Sequence, residues 1–436
     1  MNSRGKLPRR RFWYVCAFLT LLVLGLAATF QDSVHRAFVK EDSLTPADFP
    51  VYYVAGKMAL AKLGQPLYYV PADRPWNWWY LPVDGSTPWT EVAHSIGFSG
   101  TFPFITPPFS AVMMAPFARL PWRAAYLAWQ LVIAIFMAAA IYLTLRMAWA
   151  GEWVAAFCVF LAAALCFDPF RRNLMLGQID APILFLWAAG VYLLHRHQRM
   201  ASALCMALGT VIKVAPAFAV PLLVIRRQWR WLAGYAVCAM GFTGLSVWRV
   251  GWQNHMIWLK KVYPALSCGI GVLDNRSLPG LIDLFSPGCL PAGFCPVPGG
   301  VCMFNKVAGL AVGLGFFYWC WRKSKDAQGL AHELTLLPLV FLLVSPWSEH
   351  HHYLLAILPL TYLWAKSREA GTHLEIAVLT LSTLIVGTVI PDYVATSIPW
   401  ARSLWAVIDV GLWPAATLAL IWIGMRMYDR PSLQEE

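Results

Sequence analysis

The densest local chemistry in the chain lies in Ser345-Pro346-Trp347-Ser348-Glu349-His350-His351-His352-Tyr353, a polar break between two short apolar runs. Histidines there can bind phosphate, handle protons or ligate a metal. Contiguous histidines project in different directions, so at most two easily share one ion. Phosphate binding and proton handling therefore both stay open for His351 and His352, with a metal as the less favoured alternative, and no cofactor is expected. Lys213 stands in a second break, Thr210-Val211-Ile212-Lys213-Val214-Ala215-Pro216, between two half-length apolar runs. Its alternatives are snorkelling to the interface and holding a phosphate as a point charge. Asp48, in Pro46-Ala47-Asp48-Phe49-Pro50-Val51-Tyr52-Tyr53, precedes an amphipathic stretch that runs to Gly64 and reads as an N-cap, a general base, or both. The segment from Arg171 to Asp180 supplies Arg172, Asn173 and Gln178; Gln178 and Asp180 also open a helix, so capping competes with binding. Asp274-Asn275-Arg276-Ser277 offers a guanidinium that pairs with Asp274 or with phosphate, and is formally a glycosylation sequon. An ionisable group at membrane depth costs about 2.5–3.5 kcal/mol on insertion scales, which makes each a functional candidate.

The elements that must position these groups are membrane spans. Of 436 residues, 13% are charged and 59% hydrophobic, so the chain cannot cover itself with a polar surface; soluble, disordered and nucleic-acid-binding readings are excluded. Apolar runs at 12–30, 122–145, 153–167, 180–194, 200–212, 215–225, 231–248, 305–321, 334–345, 353–365, 374–390 and 404–424 predict an all-α polytopic membrane protein of about twelve helices, within a range of ten to thirteen. The basic cluster Lys6, Arg9, Arg10, Arg11 ahead of the first run favours an anchor helix with a cytoplasmic N-terminus. An even count returns the C-terminus to the same side. Short basic loops then alternate correctly, and most of the net charge of +12 sorts to the cytoplasmic side. The runs at 200–212, 215–225 and 334–345 are too short to cross unaided, so their breaks are candidate cavity walls.

The whole chain, 1–436, reads as one membrane-embedded domain with two long outer loops, 31–121 and 249–304, that carry short interfacial helices. The first is aromatic, including Tyr52, Tyr53, Tyr68, Tyr69, Trp76, Trp78, Trp79, Tyr80 and Trp89. Interfacial packing is the ordinary role of such residues, and stacking on sugar rings the alternative. The second holds Cys268, Cys289, Cys295 and Cys302, which on an oxidising side suggest two disulfides of undetermined connectivity.

No GxxxxGK[ST], GxGxxG or HExxH motif occurs, and the cytoplasmic loops are too short to build a nucleotide site. Chemistry belongs on the outer face, where a substrate must arrive activated on something that crosses the membrane; a lipid-linked donor fits. The ordered motifs carry the point further. They are Val-Tyr-Tyr-x-Ala-Gly behind Asp48, Gly-Gln-Pro-Leu-Tyr at 64–68, the proline-rich 102–109, Ala-Pro-Phe-Ala-Arg-Leu-Pro at 115–121, Asn-Leu-x-x-Gly-Gln ending at Gln178, Lys-x-x-Pro at Lys213, Asn-x-Ser-Leu at Asn275, and Ser-Pro-x-Ser-x-x-His-His-Tyr ending at Tyr353. Over about residues 44–360 the chain resembles glycosyltransferase family 87, GT-C membrane enzymes that include polyprenol-phosphate-mannose-dependent α-mannosyltransferases.

The resemblance implies a GT-C-like fold in the bacterial inner (plasma) membrane, with both termini cytoplasmic and the site on the outer side. It implies transfer of a hexose, mannose being the expected sugar, from a polyprenyl-phosphate donor to a glycan or glycolipid acceptor, with inversion. Asp48 takes the place of the catalytic base. Lys213, Arg276, His351 and His352 would hold the donor phosphate, and Tyr52, Tyr53, Arg172, Asn173, Gln178, Asn275 and Glu349 would line the substrate. The chain departs from the family pattern at Asp180 (ordinarily Asn), Arg276 (Gln) and Glu349 (Trp). Rival classes are a secondary transporter, which also uses broken helices and a buried lysine, and a non-catalytic envelope-assembly protein.

Overall fold

The computed structural model describes residues 48–428 apart from 62–64, 73–82, 84, 99–101, 150–151, 270, 273, 287–293, 296, 324–326 and 388–401. The expected first anchor at 12–30, the aromatics at 76–80 and Cys289 lie outside the described residues. Among the described residues the regular structure is helical, save one two-residue antiparallel pair, β1 (Gly271–Val272) with β2 (Phe294–Cys295).

The helices that matter for the site are α1 (Phe49–Ala61), α2 (Phe109–Met114), α3 (Trp122–Ala148), α4 (Trp153–Leu165), α5 (Asp168–Leu176), α6 (Asp180–His195), α7 (Arg199–Ile212), α8 (Trp229–Val250), α9 (Leu278–Leu284), α10 (Gly299–Arg322), α11 (Ala327–Val344), α12 (Ile357–Ala370), α13 (His373–Gly387) and α14 (Arg402–Met427). Among the described residues four helices are long and apolar enough to cross a membrane singly: α3, α8, α10 and the Val410–Met427 part of α14. The pair α4 and α5 passes as one span bent by 65°. Leu131 and Ile135 on α3, Val237 and Met240 on α8, and Leu310 and Leu314 on α10 are all exposed. Such apolar side chains facing outward suit hydrocarbon, where only a helix satisfies its own backbone. The chain is a multi-pass membrane protein.

The breaks follow from prolines. Helix α7 stops at Ile212, Lys213 is extended at φ −149° and ψ 130°, and a 3-10 turn at Ala215–Ala219 leads into Val220–Ile225. Pro216 has no N–H to give the Ile212 carbonyl and its ring would clash there, so α7 cannot run on past Ile212. Helix α11 ends at Val344, and the histidines resume as a 3-10 turn, His350–Ala356, before α12. The run read as 334–345 is in fact 18 residues long, because α11 extends back through two polar residues that find partners. Glu333 pairs with Arg226, and His332 meets Tyr362 and the Gly424 carbonyl. Helix α1, expected to be amphipathic, is buried at nearly every position. Gly56 lets it approach α2 closely, since a Cβ there would lie 2.9 Å from the Met114 carbonyl oxygen.

Candidate active site

Three breaks meet over the ends of α6 and α11. The first wall is α1 against the turn after α5. Helix α5 closes at Gly177, which is left-handed at φ +69°, and a Cβ there would sit 2.6 Å from Phe49 Cβ. Only glycine fits both the backbone and the space. Helix α3 secures this turn: Tyr126, Gln130 and Trp129 donate to the carbonyls of Met175, Leu174 and Gly177. The result places Gln178 over the start of α1. Its Nε2 donates to Asp48 Oδ2 at 2.8 Å, and its Oε1 accepts from the Tyr52 hydroxyl at 2.8 Å.

The second wall is the Lys213 break against the first turn of α6. Lys213 Nζ lies 2.5 Å from Asp180 Oδ1, whose side chain is wholly buried. Asn173 Nδ2 donates to the other carboxylate oxygen at 3.4 Å, and His351 Nε2 lies 3.9 Å from it.

The third wall is the histidine segment. Asn275 clamps it: its Nδ2 donates to the Pro346 carbonyl at 2.9 Å and its Oδ1 accepts from the Ser348 amide at 3.0 Å. The Arg276 amide donates to the Ser348 carbonyl at 2.7 Å. Gly269 approaches Pro346 so closely, at φ +69°, that a Cβ would stand 2.4 Å from its carbonyl oxygen. A disulfide, Cys268–Cys302, fastens this outer segment to α10. Cys295 is disulfide-bonded as well.

Within that segment the histidines divide. Arg276 Nε donates to His350 Nε2 at 3.0 Å, so the ring proton of a neutral His350 sits on Nδ1, facing Asp274. The Arg276 guanidinium stands 5.8 Å from the centre of the Trp413 ring. His351 and His352 turn the other way, with ring centres 4.2 Å apart. His351 Nδ1 is 3.3 Å from Glu349 Oε2, and His352 Nδ1 accepts from the Glu349 amide at 3.0 Å.

Burial dominates the electrostatics. It pushes the Asp48 carboxyl up to about 6, against the Gln178 hydrogen bond and the charge of Lys213, which pull it down. Burial, then the negative charges of Asp274 and Asp48, raise Glu349 well above the usual carboxylate range. Burial and Lys213 hold His351 and His352 well below the ordinary histidine value, so both are neutral. Burial alone would raise Asp274, but His350 and Arg276 outweigh it and keep that carboxylate ionised.

Asp48, Tyr52, Gln178, Lys213, Glu349, His351 and His352 therefore share one electrostatic neighbourhood. Arg172 is held by Asp168 at 2.9 Å, yet its charge reaches Asp274, His350 and His351. Arg276 is buried against His350 and the Trp413 ring. Tyr53 stands apart, its hydroxyl donating to the Leu120 carbonyl at 2.6 Å. Asn275 is fully buried and occupied by its clamp, which also removes it as a glycosylation acceptor. Tyr68 and Trp89 are buried packing residues. Asp180, Asp274 and His350 complete the cluster although none was among the site residues expected from sequence; the signals were the departure at Asp180, the place of Asp274 beside Arg276 and that of His350 in the histidine run.

Asp180, His351 and His352 each offer a ligand atom within 4.8 Å of the others, the set among the described residues that could hold a metal. Lys213 occupies one Asp180 oxygen, however, and the Glu349 amide fills the bare nitrogen of His352. A protonated Nε2 is left facing the site, which is a hydrogen-bond donor and not a ligand.

The model of glycosyltransferase family 87 matches residues 104–346. The chain is 26% identical over 326 residues to a polyprenol-phosphate-mannose-dependent alpha-(1-2)-phosphatidylinositol mannoside mannosyltransferase of Mycobacterium tuberculosis, covering 69% of this chain and 72% of that protein. It is 25% identical over 404 residues to the protein of the same description in Mycolicibacterium smegmatis, covering 86% and 83%. Among solved structures, ArnT from Cupriavidus metallidurans bound to undecaprenyl phosphate aligns over 93% of this chain and 77% of that one, with a TM-score of 0.37 and 12% identity.

Proposed function

The chain belongs to glycosyltransferase family 87 and is a membrane glycosyltransferase; we propose that it moves a hexose, mannose by preference, from a polyprenyl-phosphate donor to a hydroxyl of a glycan or glycolipid. The relatives named for that donor and for phosphatidylinositol mannoside acceptors support this reading. The observation that carries the mechanism is the pairing of two walls. One holds a buried carboxyl with a neutral-range pKa, Asp48 on Gln178. The other holds a cation and neutral imidazoles, Lys213 with His351 and His352.

In this mechanism Asp48, ionised above about pH 6, removes the proton from the acceptor hydroxyl. The oxygen attacks the anomeric carbon opposite the phosphate. The bond from that carbon to the phosphate oxygen breaks, and the polyprenyl phosphate leaves with the electron pair. Lys213 and the imidazole N–H groups meet the charge that develops on the phosphate, the electrostatic contribution that preorganised donors make. Attack from the opposite face inverts the centre, so a β-linked donor gives an α-linked product. In this reading Lys213 and the imidazole donors, rather than a metal, meet the charge on the phosphate. The segregation of basic loops supports an inner-membrane orientation with cytoplasmic termini and this site on the outer side.

The test is transfer of labelled sugar from polyprenyl-phosphate-mannose to a lipid extract of the host by the purified protein, run beside other polyprenyl-phosphate sugars. The wild-type enzyme should turn over. Asp48→Asn should lose about 10²–10⁴-fold while remaining folded in detergent. Near-normal transfer by that variant would remove Asp48 as the base.

A further inference from the structure

Resting on the reading above, we propose that Glu349 is a positioning residue that fixes both His351 and His352 with the ring proton on Nε2, so that the pair presents two neutral donors to the leaving phosphate. The two histidines are held through the same residue by different atoms. For His352 the donor is the Glu349 backbone amide, 3.0 Å from Nδ1. An amide N–H can only donate, so Nδ1 is the bare nitrogen and the proton of the neutral ring is on Nε2.

For His351 the argument runs from the opposite side of the ring. Nε2 faces Asp180 Oδ2 at 3.9 Å, and the partner oxygen of that carboxylate is ion-paired with Lys213. A lone pair turned toward an ionised carboxylate is repelled, so Nε2 carries the proton. Nδ1 is then an acceptor, and the group 3.3 Å from it is Glu349 Oε2. In the proposed arrangement that oxygen carries the proton offered to Nδ1, and Glu349 is the neutral acid. The surroundings agree. Glu349 is largely buried, faces Asp48 and Tyr52 from α1 and Asp274 from the outer segment, and has Lys213 and the two imidazoles as its other titratable neighbours. The negative charges of Asp274 and Asp48 favour the acid form, and the Trp347 hydrogen bond and Lys213 oppose it without reversing the balance. The competing arrangement, an imidazolium at His351 between ionised Glu349 and Asp180, moves the same proton one atom over.

The two arrangements separate on substitution. A glutamine at 349 donates an N–H to Nδ1 as the carboxylic acid does, and cannot ionise. We expect the pH dependence of kcat in the wild-type enzyme to show an acid limb near pH 6 from Asp48 and an alkaline limb as Glu349 loses its proton. Glu349→Gln should keep turnover at neutral pH and keep the acid limb, but lose the alkaline one. Glu349→Ala should lower kcat by about 10–100-fold, the usual effect of removing an outer partner that orients a functional histidine. Glu349→Gln as inactive as Glu349→Ala, or an alkaline limb that persists in Glu349→Gln, overturns the proposal.

A second measurement stands independently of turnover. Nitrogen-15 histidine spectra of the full chain in lipid nanodiscs, assigned with His351 and His352 variants, should show one protonated nitrogen, Nε2, in each ring. Both nitrogens protonated in His351 overturns the proposal even if the enzyme is active. If the wild type transfers no polyprenyl-linked sugar at all, the functional reading fails, and these spectra still decide the tautomers.

Discussion

Gln178 uses both ends of its carboxamide within the protein, holding Tyr52 through its oxygen and Asp48 through its nitrogen. It therefore orients the base rather than the substrate. Removing it leaves two buried polar groups each short of a partner, at about 1–3 kcal/mol apiece. It also removes a hydrogen bond that lowers the Asp48 pKa. Because the ionised form of Asp48 is the active one, a higher pKa moves the acid limb to higher pH. Gln178→Ala should shift that limb above its wild-type position near 6 and lower kcat more than it raises KM; an unshifted limb would show that Gln178 does not act through Asp48. Asp48, Lys213, His351 and His352 were legible in the sequence because titratable groups between apolar runs have few bland explanations. Gln178, Asn275 and Asp180 were read as substrate-facing or capping residues because their partners lie far away along the chain. Asn275 meets Pro346 and Ser348 about 70 residues on, and no spacing rule reaches across such a gap.

At the scale of elements, the breaks are as informative as the helices. The half-length runs around Lys213 and before His350 were visible as lengths too short to cross, and both breaks line the site. What composition could not show is how a break is aimed. The α5–α6 turn points Gln178 at Asp48 because Gly177 is left-handed and packed on Phe49. It also could not show that α11 extends beyond its apolar run, since Glu333 and His332 look like loop residues until their partners are known. Gly177→Ala should cost at least about 1–2 kcal/mol for the left-handed backbone, beyond which Phe49 must move. Thermal unfolding in detergent would register the first effect. The second should appear as a fall in turnover at temperatures where the variant is still folded, since Gln178 follows directly. Full activity in a variant destabilised to that extent would mean that the turn does not aim Gln178.

At the scale of the whole molecule, helix α11 joins two levels of buried charge among the described residues. One level is the site. The other surrounds Glu333, roughly 15–20 Å back along α11 from Ser345 at a helical rise of about 1.5 Å per residue. There Arg226, at the end of Val220–Ile225, makes a two-point pair with Glu333 and donates to the Lys323 carbonyl at 3.2 Å. Both charged side chains are almost entirely buried. His332 bridges Tyr362 on α12 and Gly424 on α14. This lower network ties five segments together and touches no group of the site, so its contribution should be to stability alone. Burying an ion pair is costly, but breaking one is costlier, because the survivor is left charged and desolvated. Glu333→Ala should therefore destabilise by about 3–5 kcal/mol, read as a lower midpoint of thermal unfolding in detergent. Replacing both partners, Arg226→Met with Glu333→Leu, should recover much of that loss by removing the stranded charge. In either variant, turnover per folded molecule and the acid limb near pH 6 should match the wild type. A changed pH profile in Glu333→Ala would show instead that the two polar levels are coupled through α11.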